Sequence, residues 1–213
     1  MSADSETPEL LQRASQGDQQ ALGKLLGIYQ DRLRRMVHLR LDRRLQGRID
    51  PSDVLQEAYL EAAERFGDYV RAPDMPFYLW LRFIAGQKLL VLHRRHLGTH
   101  ARDARREVSL YRGALPEASS AALAAQLVGH RTTPSQAAVR AEMQVRLQEA
   151  LNGMSPLDRE ILALRHFEQL TNAETARVLN LRESTASQRY ARALLRLKDI
   201  LTGVPGAPHE DMP

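Results

Sequence analysis

ETARVLNLRESTASQRYARALLRL, residues 174–197, is the stretch whose reading decides the fold. It divides at Asn180 into a short apolar helix and a longer basic one carrying Arg182, Arg189, Arg192 and Arg196. A helix-turn-helix needs a small residue where its helices cross, a turn residue that accepts positive φ, and apolar anchors on both sides. Ala176 fits the crossing, and Asn180 is the best choice after glycine for the turn. Leu179 and Leu181 flank the turn as anchors. Ala186, Tyr190, Ala193, Leu194 and Leu197 recur at helical spacing and form the expected buried face of the second helix. Arg182, Glu183, Ser184, Ser187 and Gln188 are then left to face base edges, with Arg189 and Arg192 nearer phosphates. The plainer alternative is a helical hairpin with a solvated charged face.

The rest of the composition agrees with a helical chain. Apolar residues make up 43% of 213, enough for real cores, and aromatics only 5%. Cores of Leu, Ala, Val and Ile favour helices over strands, and no strand-like alternation of useful length occurs. The formal charge of +4 is compatible with a polyanionic partner, and arginine suits bidentate contact with phosphate and guanine. The absence of cysteine excludes disulfides and Cys-ligated zinc. No apolar run spans a bilayer, and the polar, acidic start is not a signal peptide, so a cytoplasmic protein without membrane insertion is expected.

The fold class expected is all-α: two small helical domains joined by a flexible linker, the C-terminal one a helix-turn-helix. The first domain is placed at 7–97. Pro8 starts a helix ended by Gly17 and Asp18, and a second periodic run extends from Ala21 to Val37. A basic stretch, Arg34, Arg35, Arg40, Arg43, Arg44 and Arg48, follows. Asp50 caps a helix with Pro51 at its first position. A loop is expected from Gly67 to Pro76, then the helix FYLWLRFIAGQKLLVLHRRH, residues 77–96, with Trp80, Leu81, Ile84 and Ala85 in the core. Residues 98–133 read as linker, with one short helix around 118–128. The second domain, 134–202, opens at Pro134 and Ser135. Ala138, Met143, Leu147 and Leu151 share its first helix face, and Gly153 ends that helix. Ser155 caps the next, whose core face is Ile161, Leu164 and Phe167. The Pro/Gly-rich tail, 203–213, is expected to be disordered.

Three segments together resemble the extracytoplasmic-function (ECF) subfamily of bacterial RNA polymerase sigma factors. They are DVLQEAYLEAAERF from Asp53, the Trp80 helix from Phe77, and MSPLDREILALRHFEQLTNAETARVLNLRESTASQRYARALLRLK from Met154. The resemblance implies an N-terminal domain that docks on the clamp of the largest polymerase subunit and opens the minus-ten element. It implies a C-terminal domain on the flap of the second-largest subunit that reads the minus-thirty-five element of promoter DNA. Core-polymerase binding falls to Asp53, Gln56, Glu57 and Leu60, minus-ten contact to Lys88, His93, Arg94 and Arg95. Minus-thirty-five contact falls to Arg182, Glu183, Ser184, Ser187, Gln188, Arg189 and Arg192. Relatives are often held inactive by an anti-sigma factor, which makes such a protein a further partner to consider. Arg182 stands where a capping Ser is common, which moves the expected start of the recognition helix toward Ser184. Gln87 and Val91 also depart from the family pattern.

Enzymatic chemistry has no support: there is no Ser/His/Asp spacing and no Gly-rich phosphate loop, and no cofactor is expected. His93, His96 and His100 suggest a metal site, but Arg94 and Arg95 repel a cation, so no metal is expected. The rival reading is a dimeric helix-turn-helix regulator, which needs neither the Asp53 helix nor the Trp80 helix. A third is a sigma-sequestering module, which has no use for a recognition helix.

Overall fold

The computed structural model describes residues 3–97, 115–128 and 137–202. The chain divides into two compact units, Met1–Pro116 with Val178–Asn180, and Glu117–Arg177 with Leu181–Pro213. Ten α-helices and one π-helical turn are assigned among the described residues, and no strand is. The expected tail, 203–213, the residues 98–114 and 129–133 of the expected linker, and the expected opening at Pro134 and Ser135 lie outside the described residues. The linker span 98–133 also contains a helix that packs into the second unit, as described below.

In the first unit, α1 covers Ala3–Ser15. It begins ahead of Pro8, where the sequence predicts its start: one proline removes a single backbone bond, and the helix runs through it. Gly17 at φ +94 turns the chain, and the Asp18 carboxylate caps α2, Gln19–Ile28, at the amides of Gln20 and Ala21. The periodic run predicted from Ala21 to Val37 is broken at Tyr29, after which α3 covers Gln30–Arg40. Tyr29, Leu33, Met36, Val37 and Leu39 are buried.

Helix α4, Pro51–Arg71, is capped by Asp50 through the Ser52 amide, with Pro51 in the first turn as predicted. It buries Val54, Leu55, Ala58, Ala62 and Phe66 at a spacing of one turn. It also corrects the expected loop. Gly67 lies inside α4, so the connection to α5, Phe77–Leu97, is only residues 72–76. A helical glycine costs about 1 kcal/mol, and the ring contacts of Phe66 and Tyr69 with Phe77 offset it. Trp80, Leu81, Ile84 and Ala85 are buried as expected. A Cβ at Gly86 would run into the Leu115 side chain, which would have to shift to admit it.

In the second unit, α6, Ser120–Val128, packs against α7, Ala137–Asn152, burying Ala122, Leu123 and Ala124. Leu147 and Leu151 of α7 are buried as the spacing predicts, while Ala138 is exposed. Helix α8, Pro156–Leu162, is capped by Ser155, whose hydroxyl accepts from the Asp158 amide at 3.1 Å. Ile161, Leu164 and Phe167 form the predicted core face. The sequence did not disclose the π-helical turn at Ala163–Phe167, closed by the Glu168 amide on the Ala163 carbonyl. Gln169, at φ +57, then reverses the chain.

Helices α9, Asn172–Leu179, and α10, Glu183–Thr202, complete the helix-turn-helix. Asn180 adopts φ +52, and the Leu181 amide donates to the Ala176 carbonyl at 2.8 Å. This six-residue closure is the Schellman arrangement, with the left-handed residue just past the helix end. Replacing Asn180 with Val should destabilise the protein by about 1–2 kcal/mol, read from urea unfolding by circular dichroism, while Asn180→Gly should not. Equal stabilities for both variants would remove the backbone argument.

Candidate nucleic-acid interface

The angle of α10 is fixed at both ends of α9. Thr171 and Glu174 form a reciprocal capping box: the Thr171 hydroxyl accepts the Glu174 amide at 3.2 Å, and the Glu174 carboxylate accepts the Thr171 amide at 2.8 Å. Asn172 donates from Nδ2 to the carbonyl of Glu183 at 2.9 Å, tying the start of α9 to the start of α10. The Thr-x-x-Glu spacing of Thr171 and Glu174 is the sequence signal for this apparatus, which the periodicity of the two helices alone does not reveal.

Helix α10 starts at Glu183, one residue before the expected Ser184, because the Arg182 carbonyl already accepts the Ala186 amide. Ala186, Ala193 and Leu197 are buried beneath it. Leu194, expected on that face, is 38% exposed, and Leu195 is 59% exposed. Both lie in the second half of the helix. Arg182, Glu183, Ser184, Ser187, Gln188 and Arg192 are all open to solvent. Ser184, Gln188 and Arg192 follow one another at four-residue spacing and so share a face. Arg189 differs from this set. It is half-buried and donates from Nη1 to the Asp158 carboxylate of α8 at 2.9 Å, which anchors α10 to its own domain. Arg165 supports the same junction, donating to the Leu170 carbonyl at 2.8 Å and lying 5.2 Å from the centre of the Tyr190 ring.

On α4, Asp53, Gln56, Glu57 and Leu60 are exposed together, with Leu60 68% exposed. A large apolar side chain that open, beside two carboxylates and an amide, forms a mixed polar and apolar patch opposite the buried face.

The four residues near the end of α5 separate into two pairs. Arg94 and Arg95 are exposed. Lys88 is half-buried and bonded to Glu61 of α4 at 2.8 Å, and its ammonium holds that carboxyl below the usual carboxylate range. His93 is half-buried, and its Nε2 accepts the Asp42 amide at 3.3 Å. That bond requires an unprotonated Nε2. Burial holds the His93 pKa below its ordinary 6.5; the Asp42 carboxylate opposes this and Arg44 reinforces it. Arg40, part of the basic stretch in the sequence, is turned inward, 2% exposed, and donates to the Met36 carbonyl. In the 72–76 connection the backbone is held by the Tyr69 hydroxyl, which donates to the Met75 carbonyl at 3.1 Å, and the Tyr69 ring stacks 4.7 Å from Trp80. Among the described residues no cluster of His, Asp or Glu is arranged to hold a metal, and no helix is long and apolar enough to cross a membrane.

These features define a helix-turn-helix protein with a second, separate helical unit. Residues 144–197 match the family described as Sigma-70, region 4, which takes in the second half of α7 and continues through α8 and α9 to Leu197 of α10. The chain is 26% identical over 192 residues to the ECF RNA polymerase sigma factor BldN of Streptomyces coelicolor, covering 89% of this chain and 64% of that protein. It is 36% identical over 55 residues to the RNA polymerase sigma-E factor of Streptomyces antibioticus, covering 26% of this chain and 31% of that one. The chain thus spans less than two thirds of the length of either relative. Its fold is similar to that in the structure of CnrH in complex with the cytosolic domain of CnrY, with TM-score 0.52 and 22% identity, covering 92% of this chain and 97% of that one. Residues 144–197 thus match a Sigma-70 region 4 domain, and most of the chain is similar in sequence to an ECF RNA polymerase sigma factor.

The His93 contact predicts a pH dependence. A histidine whose folded pKa is depressed stabilises the fold fully above about pH 6.5, and that share is lost as pH falls through the lower folded value. The melting temperature of the wild type should therefore drop from pH 7 to pH 5 more than that of His93→Gln. Parallel curves for the two proteins would contradict the assignment. The Asp42 carboxyl, lowered to about 2 by Arg44, adds its own loss only in stronger acid.

Proposed function

We propose that this chain works as an ECF-type sigma factor: it binds core RNA polymerase, recognises promoter DNA and directs transcription initiation. The carrying observation is that one chain joins a region 4 helix-turn-helix with an open polar row on α10 to a second helical unit with an exposed Asp53, Gln56, Glu57 and Leu60 patch. A regulator that acts alone needs only the first.

Each surface suits its task. The α4 patch offers two carboxylates and an amide to a basic clamp helix, with Leu60 for apolar contact. Ser184, Ser187, Gln188 and Arg192 carry the donors and acceptors that read base edges in a major groove, and Arg182 supplies a phosphate contact. Glu183 suits a cytosine amine. Arg189 serves by holding α10 on α8, since its guanidinium is already engaged. On the minus-ten side Arg94 and Arg95 meet phosphates, while Lys88 and His93 brace α5 from within. The short connection 72–76 is the place for an unpaired base, which needs a shape-matched site. Polymerase supplies the bond-making chemistry, and the chain would work in the cytoplasm beside it. CnrH is solved with the cytosolic domain of CnrY; by extension, an anti-sigma domain would hold this chain away from polymerase.

Reconstitution tests the reading. The purified protein mixed with bacterial core polymerase should co-elute with it and give transcripts from discrete start sites on genomic DNA. No binding to core, with tight sequence-specific binding by the free protein, would favour a conventional regulator. Replacing Gln56 and Glu57 with Ala should weaken core binding about tenfold, or about 1.4 kcal/mol, with the melting temperature unchanged; unaltered affinity removes the clamp assignment. Replacing Ser187, Gln188 and Arg192 should cost about 1–3 kcal/mol per lost base contact at the upstream element alone. A loss spread evenly over all sequences would mean that these side chains touch only the backbone.

A further inference from the structure

We propose that the loop between α3 and α4 is a second phosphate-contacting surface for duplex DNA, with Arg43 and Arg48 as its contact residues, continuous with Arg94 and Arg95. The inference rests on the promoter-binding reading above and adds residues to its minus-ten side.

The loop, LDRRLQGRID from Leu41 to Asp50, is built to hold its backbone still. Leu41 and Leu45 are buried and peg it to the first unit. The amides of Leu45 and Gln46 both donate to the Asp42 carbonyl, and those of Arg48 and Ile49 to the Leu45 carbonyl. Gln46 donates from Nε2 to the Leu41 carbonyl at 3.1 Å, and Gly47 makes the turn at φ +85. The arginines therefore project from a fixed backbone, which lowers the ordering cost of binding.

The three arginines of this loop are not equivalent. Arg44 is bonded to the Asp42 carboxylate at 2.9 Å, so its charge is largely answered. Arg43 and Arg48 are exposed, and among the described residues neither has an ion-pair partner. The hydrogen bond from the Asp42 amide to His93 crosses 51 positions of sequence and joins this loop to the end of α5. Arg43 and Arg94 are the next residues after its two ends. Arg44 lies near enough to oppose a positive charge on His93. Helix α5 contains no acidic residue at all. Guanidinium groups left without a counter-charge on neighbouring segments repel one another, and a polyanion turns that cost into attraction.

The chemistry of the partner follows from what the loop lacks. Arg43, Arg44, Gln46, Gly47 and Arg48 are its exposed residues before Asp50. None is aromatic, so unpaired bases have no platform on which to stack. None is a large apolar residue, so a protein partner has no anchor for an interface centre. Planar, always-charged forks on a rigid loop suit the phosphates of a duplex.

The test compares the full chain as wild type, Arg43→Ala/Arg48→Ala and Arg43→Lys/Arg48→Lys, with melting temperatures confirming the fold. Binding to a fluorescently labelled duplex is followed by anisotropy across a salt series. Each lost phosphate contact removes about 0.9 from the slope of log affinity against log salt. The alanine pair should therefore lower the slope by about 1.8, and the lysine pair should retain it. An unchanged slope in the alanine pair overturns the proposal. So does a weakened co-elution with core polymerase at unchanged slope, which would place the loop against an acidic protein surface. If the wild type fails to co-elute with core polymerase, the promoter reading falls on its own, and the three salt slopes still decide the role of the loop.

Discussion

The hydrogen bond from the Leu181 amide to the Ala176 carbonyl sets the geometry on which the helix-turn-helix of this protein depends. It closes α9 at a residue held at positive φ, so the chain leaves the helix in one direction only. The Asn172 side chain then fixes where α10 begins by holding the Glu183 carbonyl, and Arg189 fixes its body by holding Asp158. With one backbone bond and two side-chain attachments made inward or along the junction, the outward row of Ser184, Ser187, Gln188 and Arg192 is free of structural duty. Base readout needs donors placed to a fraction of an ångström, which a helix frayed or free to swing at its N-terminus does not supply.

The first unit follows a related economy with different materials. Its helices bury aliphatic side chains along one face and gather most of the aromatic rings at one end, around Tyr69, Phe77 and Trp80. That cluster shortens the connection between α4 and α5 to five residues and leaves little slack in it. Charge is sorted by the same packing. Lys88, His93 and Arg40 look alike to Arg94 and Arg95 in sequence, yet they are engaged by Glu61, the Asp42 amide and the Met36 carbonyl. Burying such groups without partners costs several kcal/mol, so their contacts are conditions of the fold before they are anything else.

Sequence alone determined the all-α class, the helix-turn-helix at residues 174–197, and the core of α5. Each rests on local rules: a period of 3.6 residues, a cap that accepts its own amides, and an asparagine able to take positive φ. Ser155, Asp50 and Asn180 could be read because their partners lie within a few residues of them. The same locality explains the errors. Gly67 reads as a breaker, but whether a helix continues through glycine is settled by the rings packed beyond it.

Only the tertiary structure decided which basic residues are available. Arg189 and Arg192 are three positions apart on one helix, and a single carboxylate from α8 engages the first and leaves the second open. Arg43 and Arg94 are 51 positions apart, and one hydrogen bond between their neighbours brings their two segments together. Leu194 falls on the period of the buried face, yet no helix covers that part of α10 fully. Periodicity states which side of a helix is apolar; the residues that other helices cover, and the charges they answer, depend on contacts between segments distant in sequence, which no local pattern encodes.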